Sequence, residues 1–197
     1  MDVLTRPRLG LRAAALAGVV VAGMALAGGL WPQVAVSAGS SDESLEYRVK
    51  AAYLLNFTRY VDWPDSGTDN TLSICVLGSD PFGRILDATV AGRTSHGKSL
   101  RVRRVQTPAE ATGCKVVFIS RDTWRRSPES LKDLNRTGSL TVGESEEFAR
   151  GGGIIGFVIV EETVRFVVND QARDRAGLRI SSRMLSLAAA IYGRGRS

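Results

Sequence analysis

Histidine occurs once and cysteine twice in this 197-residue chain, and the two scarcities exclude several kinds of chemistry. A metal site of several imidazoles cannot be assembled around His96 alone. Cys75 and Cys114 lie too far apart for a CxxC metal or redox motif. Gly-x-Ser-x-Gly, Walker and HExxH patterns are absent too, so no residue set argues for an enzyme or calls for a metal or organic cofactor. A Ser/His/Asp centre would have to use His96, which sits between Ser95 and Gly97 in a polar stretch.

No block of basic residues is interleaved with aromatics, and the basic residues are nearly all arginines spread along the chain, so nucleic acid is not an indicated partner. Low-complexity tracts, internal repeats and long linkers are missing, which leaves one domain. Past residue 38 no apolar run is long enough to span a membrane.

What is present begins with Arg6, Arg8 and Arg12, followed by an uncharged Ala/Val/Gly/Leu run from Ala13 to Leu30. Trp31 and Pro32 interrupt it, and Val36-Ser37-Ala38 supplies small residues where a signal peptidase cuts. Residues 1–38 therefore read as a cleaved secretory signal peptide, and 39–197 as an exported domain that does not insert into a membrane after cleavage. The alternative is an uncleaved anchor, because roughly 18 apolar residues is near the lower limit for a span; Gly23, Gly28 and Gly29 weaken a permanent helix. The first 38 residues hold three arginines and one aspartate, so the totals of 26 basic and 20 acidic residues fall to 23 and 19, a net of +4.

In an oxidising compartment Cys75 and Cys114 are first read as a disulfide. It would close a loop of about 40 residues, constraining the unfolded chain by roughly 4 kcal/mol. Two separate buried thiols are the competing reading.

Ser40 and Glu43 suggest a capped helix start, and Leu45, Val49, Ala52, Tyr53 and Tyr60 then recur on one face until Trp63-Pro64 stops the helix. Strands are expected at 71–77, 100–105, 113–120 and 139–143, with a short helix after the Gly78–Pro81 turn and another near 129–135. Ile154 to Val160 and Thr163 to Val168 flank Glu161-Glu162 and propose an antiparallel hairpin, although Glu-Glu is a poor turn sequence. The stripe Ala176, Ile180, Met184, Leu187 and Ile191 predicts a long C-terminal helix over 171–191. Together these give an α/β domain: a mixed β-sheet with helices on both faces, ending in the hairpin and the long helix.

Several polar residues stand out on this frame. Asn56 falls on the apolar face assigned to the first helix, where a buried amide needs a partner, either loop backbone or a bound group. Ser79, Asp80 and Phe82 lie where a strand turns into a helix, a place suited to an anion or small ligand, or to a self-capped turn. Glu144, just past a strand, either caps the next turn or lines a cleft with them. Arg101, Arg103 and Arg104 crowd one strand, which places it at a sheet edge or marks a patch for an acidic partner.

From Val49 to Pro64 (VKAAYLLNFTRYVDWP) the chain resembles the opening helix of the YfiR-like family of periplasmic regulatory proteins. ICVLG at 74–78, PFG at 81–83, GCKVVFIS at 113–120, LTVGE at 140–144, GGIIGF at 152–157 and LRISS at 178–182 follow in the family's order. The resemblance implies a periplasmic protein that binds the periplasmic domain of an inner-membrane signalling protein, a diguanylate cyclase in the best understood members. That binding restrains the cyclase, lowering cyclic-di-GMP and biofilm formation. Cys75 and Cys114 match one cysteine pair of that regulator, and its second pair has no counterpart here. Tyr53, Phe57, Tyr60 and Trp63 are then candidates for an exposed face that meets the partner or forms a homodimer, with core packing as the other reading. A small-ligand binding module remains the alternative function, with the loops at Gly78 to Gly83 and Glu144 as its cleft.

Overall fold

Alternate residues of the first long strand point to opposite sides and are buried on both, which sets the layering of the whole domain. A computed structural model describes residues 39–64 and 69–193. The expected signal segment lies outside the described residues, as does the side chain of Ser40.

Helix α1 (Gly39–Tyr60) runs into the two-residue strand β1 (Val61–Asp62). The long strand β2 (Thr71–Leu77) leads through α2 (Arg84–Val90) and the short β3 (Thr94–Ser95) to β4 (Lys98–Val105). A single 3-10 turn precedes β5 (Val116–Ile119); α3 (Arg121–Arg126) and α4 (Ser130–Arg136) carry the chain to β6 (Leu140–Gly143), and α5 (Glu146–Arg150) to the hairpin β7 (Ile155–Val160) and β8 (Thr163–Asn169). The chain closes with α6 (Asp170–Arg175), β9 (Arg179–Ile180), α7 (Ser182–Leu185) and β10 (Ala190–Tyr192).

The main sheet has the order β10-β8-β7-β6-β5-β2-β4-β3, and β1 pairs with β9 in a separate ribbon. From β4 through β2, β5 and β6 to β7 all pairings are parallel, and β7–β8 is the antiparallel hairpin. On one face Ile74, Val76, Val116, Phe118, Leu140 and Val142 pack beneath α1 and α2. On the other Cys75, Leu77, Val117 and Ile119 meet Leu131 and Leu134 of α4 and Phe148 of α5. Burial on both faces explains why these strands read as unbroken apolar runs. The α/β class with helices on both faces and a late hairpin is as the sequence indicates.

Cys75 and Cys114 form the disulfide, with Cα atoms 5.9 Å apart. The pairing is possible because β2 and β5 are neighbours, with Ile74 opposite Val116. Both cysteines are buried in the second of the two cores.

Two expectations are corrected. The long C-terminal helix does not form: Gly177, at φ +69°, ends α6 in the left-handed conformation that closes helices. Ile180 then pairs with Val61, the Ser181 hydroxyl accepts from the Met184 N–H to start α7, and Ala190–Tyr192 joins β8 as an edge strand. The helix-like stripe is thus divided: Ala176, Ile180 and Met184 are buried in separate pieces, Ile191 is half-buried and Leu187 is exposed. Helix α1 is also turned from its expected phase, burying Lys50, Ala51, Leu54, Phe57 and Thr58 while Leu45, Ala52 and Asn56 face outward. Two apolar arcs compete on this helix, and the one holding Phe57 packs with Phe157 and Phe166. Asn56 is therefore exposed, and the premise of a buried amide falls away.

Candidate functional site

In the parallel part of the sheet β2 connects to β4 on one side while β5 lies on the other, so connections diverge between β2 and β5. Ligands of doubly wound sheets bind beyond the carboxyl ends of such strands. Ser79, Asp80, Phe82 and Glu144 all come to this end, following β2 and β6.

Glu144 is held there from several directions. Its Oε1 accepts hydrogen bonds from the Tyr47 hydroxyl and the Lys50 Nζ, each at 2.9 Å, and its Oε2 accepts from the Arg121 backbone N–H at 3.4 Å. Lys50 also pairs with Glu46 at 2.5 Å, and its ammonium lies 4.6 Å from the centre of the Tyr47 ring. The side chains of Lys50 and Glu144 are only 5% and 9% exposed, so this is a buried ion pair. Burial first, and the Glu144 charge second, hold the Tyr47 phenol far above the usual tyrosine range. The cluster ties α1 across the strand ends. Tyr47 and Lys50 were missed in the sequence; a lysine on the same arc as Leu54 and Phe57 was the available signal, because a cation there needs a carboxylate.

The β2–α2 turn closes on itself. Asp80 Oδ1 accepts from the Phe82 and Gly83 backbone N–H groups at 2.8 and 3.2 Å, and Oδ2 accepts from Arg104 Nε at 2.9 Å. The backbone donors that an anion would use are thus taken by the protein's own carboxylate. Arg104 spans on to Asp87 and the Gly83 carbonyl, and its hydrogen bonds hold the Asp87 carboxyl below the usual range. Phe82 is buried edge-on to Phe118 and Tyr47, and Ser79 is exposed at the rim. These residues share one end of the sheet, and the carboxylates of Asp80 and Glu144 are each engaged by other donors of the protein.

The aromatic candidates lie elsewhere. Phe57 is 1% exposed and Trp63 7%, while Tyr53 is half-buried with its hydroxyl donating to the Val164 carbonyl at 3.3 Å. Tyr53 stacks on Phe57 at 5.8 Å, and Tyr60 is partly buried against the same core. The exposed face expected of Tyr53, Phe57, Tyr60 and Trp63 is core packing instead. The arginine-rich β4 lies next to last in the sheet, with only the two-residue β3 beyond it, which accords with an edge role. His96 occupies the β3–β4 turn, edge-on to Trp63.

An apolar groove lies on the outward side of α1. It has a volume of about 650 Å³ and is lined by Glu43, Leu45, Glu46 and Val49 on the helix, and by Ile159, Glu162, Thr163 and Val164 at the hairpin tip. Leu45 is 60% and Ile159 54% exposed. Glu161 and Glu162 form the turn with φ of +47° and +60°, a conformation that asparagine and glycine adopt more easily. The signal for this groove was apolar residues persisting in β7 up to the acidic turn.

Fold and site together define a doubly wound α/β domain with its first helix locked across the strand ends. The chain belongs to the YfiR/HmsC-like family, whose model matches residues 47–189, a family of periplasmic regulatory proteins. Among solved structures it is similar to a conserved domain protein from Vibrio cholerae O1 biovar El Tor str. N16961, with a TM-score of 0.50 and 12% identity over 73% of this chain and 60% of that one. It is also similar to the ABC domain in complex with L-Trp from Streptococcus pneumoniae, with a TM-score of 0.48 and 12% identity over 74% and 60% of the two chains. The chain spans 60% of the length of each. At this identity the likeness to the Vibrio protein extends to the fold alone. No curated protein matches the chain.

Proposed function

We propose that this protein is a periplasmic regulator that binds the periplasmic domain of an inner-membrane diguanylate cyclase and restrains it, lowering cyclic-di-GMP and biofilm formation. The observation that carries this reading is the family match over 47–189. The signal-like first 38 residues and the buried disulfide accord with an oxidising compartment. Among the described residues no helix is long and apolar enough to cross a membrane. The strand-end polar groups pair with one another and so favour a rigid scaffold over a small-molecule cleft.

The test is genetic and physical. Deleting the gene is expected to raise cyclic-di-GMP and biofilm, and cross-linking in the envelope to recover a membrane protein with a cytoplasmic cyclase domain. Unchanged cyclic-di-GMP together with recovery of no such protein overturns the reading.

A further inference from the structure

We infer that the groove between the outward side of α1 and the tip of the β7–β8 hairpin is the docking surface, and that its occupant is a short amphipathic segment of the partner with apolar side chains flanked by lysine or arginine. This rests on the regulatory reading above. The apolar part is the pair Leu45 and Ile159, among the few large hydrophobic side chains left well exposed in the described residues. The exposure of Leu45 follows from the phase of α1: the Leu54–Phe57 arc takes the sheet, Val49 is half-buried against the core at the floor of the groove, and Leu45 is left outward beside the hairpin.

Charge selects the occupant. Glu43, Glu46 and Glu162 line the groove, Glu161 adjoins it, and no basic side chain is among the lining residues. Glu46 is engaged with Lys50, but among the described residues neither Glu43 nor Glu162 has an ion-pair partner. The groove is thus an acidic patch on a chain whose overall balance is basic, with 26 Lys and Arg against 20 Asp and Glu. A second copy seated by a two-fold axis would bring like charges together, and an anionic membrane surface would be repelled; a basic apolar segment meets neither penalty. The turn adds a separate sign, since two acidic residues, Glu161 and Glu162, occupy left-handed positions that glycine and asparagine adopt more easily, and Glu162 lines the groove.

The protein secreted from its full-length gene is titrated with two synthetic helices that share one apolar pattern, one of leucine and lysine and one of leucine and glutamate. The Leu/Lys helix is expected to bind about tenfold more tightly. Leu45→Ser and Ile159→Ser each weaken it about tenfold, and Glu43→Lys with Glu162→Lys reverses the preference. Unfolding midpoints verify that the variants keep the fold, and the two charge reversals, at exposed positions, carry the test if a serine variant does not fold. Equal affinity for both helices, or affinity indifferent to the substitutions, overturns the inference. Cyclic-di-GMP in cells separates the two levels. A deletion without effect removes the regulatory reading, whereas a deletion that raises it, fully reversed by the groove variants, removes the groove alone.

Discussion

Lys50 and Glu144 lie 94 residues apart in the chain and share one hydrogen bond inside a nearly closed cluster. Removing one partner from a buried pair leaves the other charged and desolvated. Lys50→Met is therefore expected to cost about 3–5 kcal/mol, read from urea unfolding, and Lys50→Met with Glu144→Leu to regain most of it. Tyr47 gives a second prediction. Its folded-state phenol is raised above the ordinary value of 10.0, so the unfolded chain releases this proton first as the medium becomes alkaline. The associated stability is complete below pH 10 and falls as pH rises beyond it; Tyr47→Phe should flatten that part of the stability profile relative to wild type. The Arg104–Asp87 contact works in the opposite direction, with Asp87 held low and its contribution lost as pH falls through its folded value. None of these partners could be read locally. Glu144 stood out as a strand-end acid, but its pairing depends on where α1 crosses the sheet.

Elements were legible where their pattern was self-sufficient. The strand expected at 71–77 is observed as Thr71–Leu77, and the hairpin arms fall within a residue of their expected limits. Helix α1 was legible as a helix but not in its phase, because periodicity shows that apolar arcs exist and not which arc meets a sheet. The C-terminal stripe misled for a related reason: residues spaced for one helix face are spread over two short helices and two strand pairings, with Ala176, Ile180 and Met184 buried and Leu187 left exposed. Gly177 and Ser181 were the local evidence against a continuous helix. The hairpin turn carries the prediction at this scale. Glu161→Asn with Glu162→Gly should stabilise the protein by about 1–2 kcal/mol, because both positions then tolerate positive φ. It should also weaken Leu/Lys helix binding, since the rim loses two carboxylates; thermal unfolding and titration check the two halves.

At the scale of the molecule, one covalent link joins β2 to the residues that lead into the neighbouring β5, across a separation of 39 residues and within the second core. Cys75→Ser with Cys114→Ser is expected to lower stability by roughly 4 kcal/mol, a large share of the 5–15 kcal/mol typical of a domain. Because Cys75 is 0% and Cys114 2% exposed, the folded protein should also resist reductant until it opens; alkylation of freed thiols in native buffer and in urea measures this.

The sequence by itself determined the α/β class, the positions of the central strands, the one cysteine pair available for a bridge and the resemblance to a family, since each rests on short-range pattern or on counting. Tertiary structure alone decided which arc of α1 is covered, that Lys50 meets Glu144, that the four aromatic candidates lie in or against the core, and that Leu45 and Ile159 remain outside beside an acidic turn. These outcomes compare the burial offered by distant surfaces, and that comparison is made only once the chain has folded upon itself.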